Sequence, residues 1–301
     1  MIRLAVRVRR EQADVVLAEL LDLAPAGVEE VELDDGAVEY AVYGPPGELP
    51  ALPDLRALAG GAPVEISTRE IADDWQERWK EFHRPVLIAG PDGAPAIRVR
   101  PPWEPAQSAR ERRTIELVVD PGQAFGTGAH ASTRLCLGLL LEVLDEDGAP
   151  RAVLDVGTGS GVLAIAAGRL GCSPLLGLDN EQESVTAAAE NAQINGVALR
   201  TERFDLRTDP LPWLGRETSS ADPGAGETLV LANLLRPLLI DLSAAIERAP
   251  AVLIAGGLLT GELDEVAGRF GERHGLQERR RRSEGEWGAL WLTSAERPAS
   301  A

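Results

Sequence analysis

Apolar and polar residues alternate along this chain with two different periods, and their order divides it into an N-terminal and a C-terminal part. A period of two predicts strands, and a period near 3.6 predicts helices. The first 70 residues give the order strand, helix, strand, strand, helix, strand, with strands to Val8 and at 28–33, 37–42 and 64–69 and helices at 15–21 and 52–58. This order predicts a small ferredoxin-like α+β domain. Trp75, Trp79 and Phe82 then share one helical face, which predicts a linking helix.

Strands and helices alternate from Ala96 onward, which predicts an α/β domain with a doubly wound, mostly parallel sheet. The predicted core strands are 152–156, 174–179, 199–204, 228–232 and 251–255, and the predicted helices are 132–144, 161–170, 181–195, 236–248 and 260–272. Strands at 276–282 and 287–293 have a short connection and should form an antiparallel hairpin at one edge of a seven-stranded sheet. We expect an N-terminal domain at 1–70, a linker helix and connection at 71–95, the large domain at 96–295 with a mobile loop at 215–226, and a flexible tail at 296–301.

The net charge and the two cysteines indicate which binding partners and which cellular compartment to expect. A formal net charge of −18 disfavours broad binding to nucleic acid or anionic membranes, because phosphates favour clustered Lys and Arg. The basic run Arg279 to Arg282 is predicted as a solvated edge strand, with contact to RNA as the alternative. Cys136 and Cys172 lie in apolar surroundings, which predicts buried thiols in a reducing compartment. Without a secretion signal or an apolar run of about 20 residues, the chain is expected to be cytoplasmic.

A glycine-rich segment after the first core strand predicts a nucleotide-cofactor site. Gly157, Gly159 and Gly161 leave no Cβ in the turn, so the backbone can approach a ligand closely. Asp179 ends the next strand, where a carboxylate can accept hydrogen bonds from both hydroxyls of a ribose. A dinucleotide fingerprint started at Gly157 needs a small residue at position 162, where this chain has Val162. The spacing therefore disfavours NAD and is similar to the S-adenosylmethionine site of class I methyltransferases.

Two further segments are expected near this site. Residues 120–130 combine one proline with three glycines in a tight loop before a helix that Ser132 or Thr133 can cap. In isolation the loop suits a structural role and a ligand-covering role equally. Asn233 ends another strand, and ligands of open α/β sheets lie outside the carboxyl ends of the strands. We therefore expect Asn233 to face the same crevice as Gly157, where its amide can orient a substrate amine.

With these motifs, the chain closely resembles the PrmA family, the methyltransferases of ribosomal protein L11, over nearly its whole length. The matching segments are 120–130 with Ser132 and Thr133, 155–161, Asp179, 233–235, and Glu286 with Trp287. The resemblance implies an N-terminal substrate-recognition domain and a Rossmann-like class I catalytic domain. It also implies transfer of methyl groups from S-adenosylmethionine to amines of ribosomal protein L11, namely lysine side chains and, as a further option, the N-terminal amine.

The resemblance also implies the roles of site residues. Residues that match the family's cofactor contacts are Thr133, Gly157, Asp179 and Asn233, and those that match the loop over the methyl donor are Phe125, Gly126, Thr127 and Gly128. We expect Asn233, Phe125 and Thr127 to act in catalysis by holding the amine in line with the methyl group. The glycine turn and loop glycines 126 and 128 are expected to bind the cofactor. Ser132 and Arg236 depart from the family's usual residues.

Two alternatives stay open beside an L11 methyltransferase. One is a class I methyltransferase that acts on another protein or on a small molecule. The other is a catalytically silent S-adenosylmethionine-binding module of ribosome assembly. The intact cofactor motif disfavours this second alternative. His130 is expected to be structural rather than a general base. His83 and His274 have no partners at ligand spacing, so no metal site is predicted. We expect a monomer without direct nucleic-acid binding.

Overall fold

The chain divides into two compact units, Met1–Phe82 and His83–Ala301. The computed structural model describes residues 2–10, 16, 20, 28–33, 36–44, 64–70, 84–106, 114–120, 128–147, 151–214 and 223–294. The predicted linking helix at 74–82, the predicted helix at 52–58 and the tail at 296–301 lie outside these residues. Within the described part, no helix is long and apolar enough to cross a membrane.

The N-terminal unit contains a four-stranded antiparallel sheet. Its strands are β1 (Ile2–Arg9), β2 (Glu29–Glu32), β3 (Ala37–Gly44) and β4 (Glu65–Glu70), in the spatial order β2-β3-β1-β4. Val6 at the centre of β1 lies opposite Tyr40 of β3 and Ile66 of β4. Val6 and Tyr40 are buried together with two helical residues, Val16 and Leu20. The strand order is that of the predicted ferredoxin-like unit.

A small three-stranded sheet comes first in the second unit. Its strands are β5 (Val86–Ile88), β6 (Ala96–Arg100) and β7 (Thr114–Val118), and β6 pairs antiparallel with β5 and parallel with β7. Arg98 and Arg100 both bind Glu116 of β7, at 2.7 and 3.1 Å. The alternation of strands and helices does not predict this sheet, and β5 falls within residues assigned to the connection at 71–95.

The large sheet of the second unit has seven strands. They are β8 (Ala152–Val156), β9 (Leu175–Asp179), β10 (Arg200–Arg203), β11 (Thr228–Asn233), β12 (Val252–Leu259), β13 (Leu276–Glu284) and β14 (Trp287–Ser294). Their spatial order is β10-β9-β8-β11-β12-β14-β13. Neighbours from β10 to β12 are parallel, whereas β14 is antiparallel to both β12 and β13. The predicted edge hairpin is therefore confirmed, with β12 continuing past its predicted end at 255.

Among the described residues, five helices cover the two faces of this sheet. They are α1 (Ala131–Asp147), α2 (Val162–Arg169), α3 (Gln182–Ile194), α4 (Arg236–Ala245) and α5 (Leu263–His274). Successive strand residues point to opposite faces. Val153 packs in the cluster that contains residues of α1, α2 and α3, and Leu154 packs in the cluster that contains residues of α4 and α5. Both faces are thus buried, which confirms the predicted doubly wound α/β fold.

Two local predictions differ from the structure. Helix α1 begins at Ala131, so Ser132 lies in the first turn, and its N–H donates to the Nδ1 atom of His130 at 3.3 Å. The prediction that Ser132 or Thr133 caps the helix is therefore wrong, because the His130 ring precedes the helix and takes that position. Ala225, inside the predicted loop at 215–226, is 4% exposed in a short 3-10 turn, so the buried structure resumes before β11 begins.

The basic run lies on the edge strand β13, as predicted, and its charge is balanced within the same unit. Arg280 binds Glu142 at 2.8 Å and Glu146 at 2.6 Å, both on α1. Arg282 also pairs with Glu142, whose side chain is buried. Arg279 also pairs with Glu146, and Arg281 pairs with Asp264 and Glu278. Cys136 and Cys172 are buried free thiols, which confirms their predicted surroundings.

Candidate active site

The carboxyl ends of neighbouring parallel strands bring most of the predicted cofactor residues to one edge of the sheet. Strand β9 ends at Asp179 and β11 ends at Asn233, and β8 between them leads directly into Gly157. The turn after β8 is therefore central among three strand ends. This is where ligands of open α/β sheets lie.

The glycine turn requires glycine for its backbone conformation. Gly157, Gly159 and Gly161 have φ angles of 72°, 52° and 80°, in the left-handed region that side chains with a Cβ disfavour. The N–H groups of Gly157 and Thr158 donate to the carbonyl of Leu178 at 2.8 and 2.9 Å, which fixes the turn to β9. The sequence predicted these glycines from the need for close ligand approach, and the structure adds a conformational reason.

Close packing gives a second reason for glycine at the first of these positions. A Cβ built on Gly157 would lie 2.3 Å from the Cδ2 atom of Leu234. Leu234 directly follows Asn233 at the end of β11. The backbone of the turn and the segment after β11 are therefore in direct contact.

Asp179 has an orientation fixed by the backbone around it. Its Oδ2 atom accepts the N–H of Gly159 at 2.9 Å, and its Oδ1 atom accepts the N–H of Glu181 at 3.1 Å. A carboxylate offers about four acceptor positions, so two of these bonds leave capacity for ligand hydroxyls. The side chain is thus held in place without being saturated, as the predicted ribose contact requires.

A cavity of about 220 Å³ lies beside the glycine turn and Asp179. Its lining residues are Val156, Gly157, Leu178, Asp179, Asn180, Phe204, Asp205, Leu206, Arg207, Leu234 and Leu238. Its walls combine apolar side chains with four polar or charged residues, Asp179, Asn180, Asp205 and Arg207. Pockets for drug-sized ligands span about 300–1,000 Å³, so this cavity fits the nucleoside part of a cofactor rather than a whole one.

Sequence analysis did not single out Phe204 and Asp205, which line this cavity. They directly follow β10, and the N–H of Phe204 donates to the carbonyl of Asp179 at 2.8 Å. The rule that places ligands at the carboxyl ends of parallel strands would have found them. The predicted strand 199–204 was one residue too long at each end, and it therefore included Phe204.

Asp155, on β8, stabilises the glycine turn that follows this strand. Its Oδ2 atom accepts the hydroxyl of Thr158 at 2.8 Å and the N–H of Ala164 at 3.2 Å, so it joins the turn to α2. The side chain is buried, and its Oδ1 atom accepts no hydrogen bond within the described part of the chain. Burial in this apolar surrounding raises the pKa of the Asp155 carboxyl to about 7.

Asn233 lies beside Thr133 of α1 rather than in the lining of the cavity. Its Nδ2 atom donates to the Thr133 hydroxyl at 3.3 Å. Its Oδ1 atom is buried and accepts no hydrogen bond from any described residue. Asn233 pairs with Gly256 of β12, where an added Cβ would lie 3.2 Å from that Oδ1 atom and 2.3 Å from the Sγ atom of Cys136. The structure thus brings together Asn233 with Thr133, and Leu234 with Gly157.

The loop predicted to cover the methyl donor is described only at its two ends. Phe125, Gly126 and Thr127 lie outside the described residues, so their predicted roles stay predictions. Gly128 has a φ of 84°, and a Cβ there would lie 3.0 Å from the side chain of Val99 on β6. This close packing is a structural reason for glycine at 128, beside its predicted contact with the cofactor.

The edge hairpin holds the end of this loop. The rings of His130 and Trp287 meet edge to face, with centroids 4.6 Å apart, and Nδ1 of His130 bonds to the Ser132 hydroxyl at 2.8 Å. Arg134 donates to the carbonyl of Ala129 and pairs with Glu284. Burial lowers the pKa of His130. These contacts support the structural role predicted for His130.

Exposed leucines follow two of the strand ends near the site. Leu235, after β11, is 62% exposed, and Leu259, at the end of β12, is 46% exposed. Glu262 links the two segments, because its Oε2 atom accepts the N–H of Leu259 at 2.9 Å and its Oε1 atom lies 3.3 Å from Nε of Arg236, the residue after Leu235. Apolar side chains exposed at the rim of a site are suited to contact a partner.

The fold and the site together define a class. A seven-stranded sheet with one antiparallel strand next to its edge, a left-handed glycine turn after the central strand and a fixed carboxylate at the end of the next strand define a class I S-adenosylmethionine-dependent methyltransferase. The cavity beside Gly157 and Asp179 fits the adenosine part of that cofactor.

Comparisons with known proteins give the family. The family model of the ribosomal protein L11 methyltransferases (PrmA) matches residues 55–295, and the chain belongs to this family. It is 39% identical to the ribosomal protein L11 methyltransferase of Geobacter sulfurreducens, over 79% of this chain and 73% of that protein. It is 36% identical to that of Syntrophotalea carbinolica, over 92% of each chain. The crystal structure of the ribosomal protein L11 methylase of Lactobacillus delbrueckii subsp. bulgaricus is similar with a TM-score of 0.54 and 29% identity, over 70% of this chain and 99% of that one. The resemblance predicted from the motifs is confirmed.

Proposed function

We propose that this chain methylates amines of ribosomal protein L11, in particular lysine side chains. Its family and its relatives carry this substrate in their names. The observation that carries amine specificity is the Oδ1 atom of Asn233, a buried acceptor with no partner among the described residues. A buried polar atom without a partner costs about 1–3 kcal/mol, and an N–H group of an incoming amine would remove that penalty.

Thr133 supports this role because it fixes the direction of the Asn233 amide. Its hydroxyl accepts the Nδ2 proton, so the nitrogen side of the amide is engaged, whereas the oxygen side has no hydrogen-bond partner among the described residues. Phe125 and Thr127, matched to the family's loop, would align the amine with the methyl group. Gly126 and Gly128 of that loop, with the glycine turn and Asp179, would bind the cofactor.

The acceptor amine must lose a proton before it can react. S-adenosylmethionine, when bound, supplies a methyl group on a cationic sulfonium that an amine must approach in line. A free lysine has a pKa near 10.4, so only about one amine in a few thousand is neutral at pH 7. Removal from water lowers the pKa of the amine, and Asn233 then accepts one N–H and directs the lone pair. Water carries the proton away, since His130 is engaged with Ser132 and Trp287.

We assign substrate recognition to the N-terminal unit and transfer to the second unit. We expect a monomer that works in the cytoplasm, where ribosomal proteins are available, without direct contact to nucleic acid. The pairing of the Arg279 to Arg282 run with carboxylates supports the last point, because paired guanidinium groups attract phosphate less.

Intact-mass analysis of purified ribosomal protein L11, incubated with this chain and S-adenosylmethionine, tests the proposal. We expect mass increments of whole methyl groups, and peptide mapping should place them on lysines. Asn233→Ala should abolish or strongly slow the increments while donor affinity, measured by calorimetry, stays close to that of the parent. Asp145→Asn, on the exposed surface of α1, is the control that should leave both unchanged.

Other outcomes separate the alternatives. If methyl groups appear on a different ribosomal protein and L11 is unchanged, that protein is the substrate instead of L11. Donor binding without methyl transfer to any ribosomal protein would favour the silent assembly module. Increments confined to the N-terminal amine of L11 would contradict the lysine assignment alone.

A further inference from the structure

Two buried asparagines, Asn191 of α3 and Asn195 at the C-cap of that helix, hold the backbone at the end of β7 and just after it. Asn191 and Asn195 are 2% and 6% exposed. Asn195 bonds twice to Val118, whose N–H donates to Oδ1 at 2.8 Å and whose carbonyl accepts Nδ2 at 2.7 Å. Asn191 accepts the N–H of Asp120 on its Oδ1 atom at 3.0 Å. One turn of helix therefore fixes the position at which segment 120–130 begins.

Only one of the two amides also reaches the cofactor turn. The Nδ2 atom of Asn191 donates to the carbonyl of Ser160 at 2.9 Å, in a buried bond. Ser160 stands between Gly159 and Gly161. The side chain of Asn195 instead bonds to β7 and to the carbonyl of Asn191 in its own helix.

The two bonds of Asn191 leave from opposite ends of one planar amide. They therefore set the separation between Asp120 and Ser160, which lie on different segments of the chain. Asp120 opens the segment matched to the family's donor-covering loop, and Ser160 belongs to the turn matched to the donor. A side chain that joins these backbones defines both the shape of the turn and its position relative to that segment.

We propose that Asn191 is a positioning residue for the methyl donor, acting through the glycine turn. This inference rests on the proposed cofactor role of that turn. Asn191 need not touch the donor itself. Its effect passes through the Ser160 carbonyl, so loss of the amide should change donor affinity as well as stability.

Asn195 provides a matched control, because it is an asparagine of similar burial, at the C-cap of the same helix, and it holds the end of the same strand. We expect Asn191→Ala to weaken binding of S-adenosylhomocysteine about tenfold, equal to about 1.4 kcal/mol. Asn195→Ala should leave that affinity within about twofold of the parent. Isothermal titration calorimetry on the full chain measures affinity, and differential scanning calorimetry without ligand measures the melting temperature of each variant.

A merely structural role predicts a different pattern. Equal losses of affinity in both variants, or unchanged affinity in Asn191→Ala, would overturn the inference. If Asn191→Ala shows no cooperative melting, Asn191→Asp takes its place, since it keeps an acceptor for Asp120 and replaces the donor to Ser160 with a second carboxylate oxygen. Unchanged affinity in that variant would equally overturn it. If the parent chain itself does not bind S-adenosylhomocysteine, the proposed cofactor site is wrong. This outcome differs from a failure of the inference on Asn191, in which the parent binds and the variants do not show the expected difference.

Discussion

The buried carboxyl of Asp155 should make the stability of this protein depend on pH, and Asp155→Asn should remove that dependence. The Asp155 side chain is buried, and its pKa rises from an ordinary 3.8 to about 7 because burial disfavours the charged form. The folded state therefore holds a proton that the unfolded chain releases near pH 4. Stability is highest with the carboxyl neutral, and it falls as pH rises from about 4 through about 7.

The size of this effect follows from the two pKa values. At about 1.4 kcal/mol per pKa unit, the rise from 3.8 to about 7 corresponds to about 4 kcal/mol. The full penalty is present above about pH 7 and absent below about pH 4. Asparagine resembles the neutral carboxyl, since its oxygen can still accept from Thr158 and Ala164. The variant should therefore gain stability relative to the parent as pH rises.

Urea unfolding of parent and variant at about pH 5 and about pH 8 measures this difference. We expect the free energy of unfolding of Asp155→Asn minus that of the parent to be about 2–3 kcal/mol larger at the higher pH. Asp145→Asn, an exposed change on α1, should show no such trend. A difference that is the same at both pH values would refute the assignment of a buried, protonated carboxyl.

Three further changes test the site and its support. Gly157→Ala should weaken donor affinity at least about tenfold, as measured by calorimetry. The reason is that φ of Gly157 is 72° and that the new Cβ would lie 2.3 Å from Leu234. An affinity within about twofold of that of the parent would contradict this prediction. Glu142→Gln should lower the free energy of unfolding by about 2 kcal/mol through its lost ion pairs on β13, and an unchanged urea midpoint would oppose it. Leu235→Ser should raise KM for ribosomal protein L11 about tenfold with donor affinity unchanged, whereas Ile194→Ser, equally exposed on α3, should leave KM unchanged.

The turn and the strand ends could be predicted from the sequence because they depend on neighbouring residues. Apolar periodicity located β8, β9 and β11, and glycine spacing identified the turn between β8 and α2, whose left-handed backbone conformation only the structure shows. Asp179 and Asn233 followed from their place at the last residue of a strand. In each case a short segment carries the information, since backbone conformation and strand direction are local properties.

Contacts between distant segments could not be predicted in this way. Asn191 has the composition of an ordinary helix residue, and only packing places its amide against Asp120, 71 residues away. Asp155 looks like part of a motif, and its pKa rises mainly because the glycine turn and α2 bury the side chain. The helix cap by His130 was likewise missed, because it depends on where α1 begins.

Consecutive residues were sufficient to predict the class of fold, the family and the strand-end positions of the cofactor motif, because periodicity, glycine spacing and terminal polar residues are local features. The contact of Leu234 with Gly157, the hydrogen bond from Asn233 to Thr133 and the link that Asn191 makes between the turn and the segment after β7 depend on how distant segments pack. Such contacts arise when separate strands and helices pack at close distance, and residue type constrains that packing without specifying its partners.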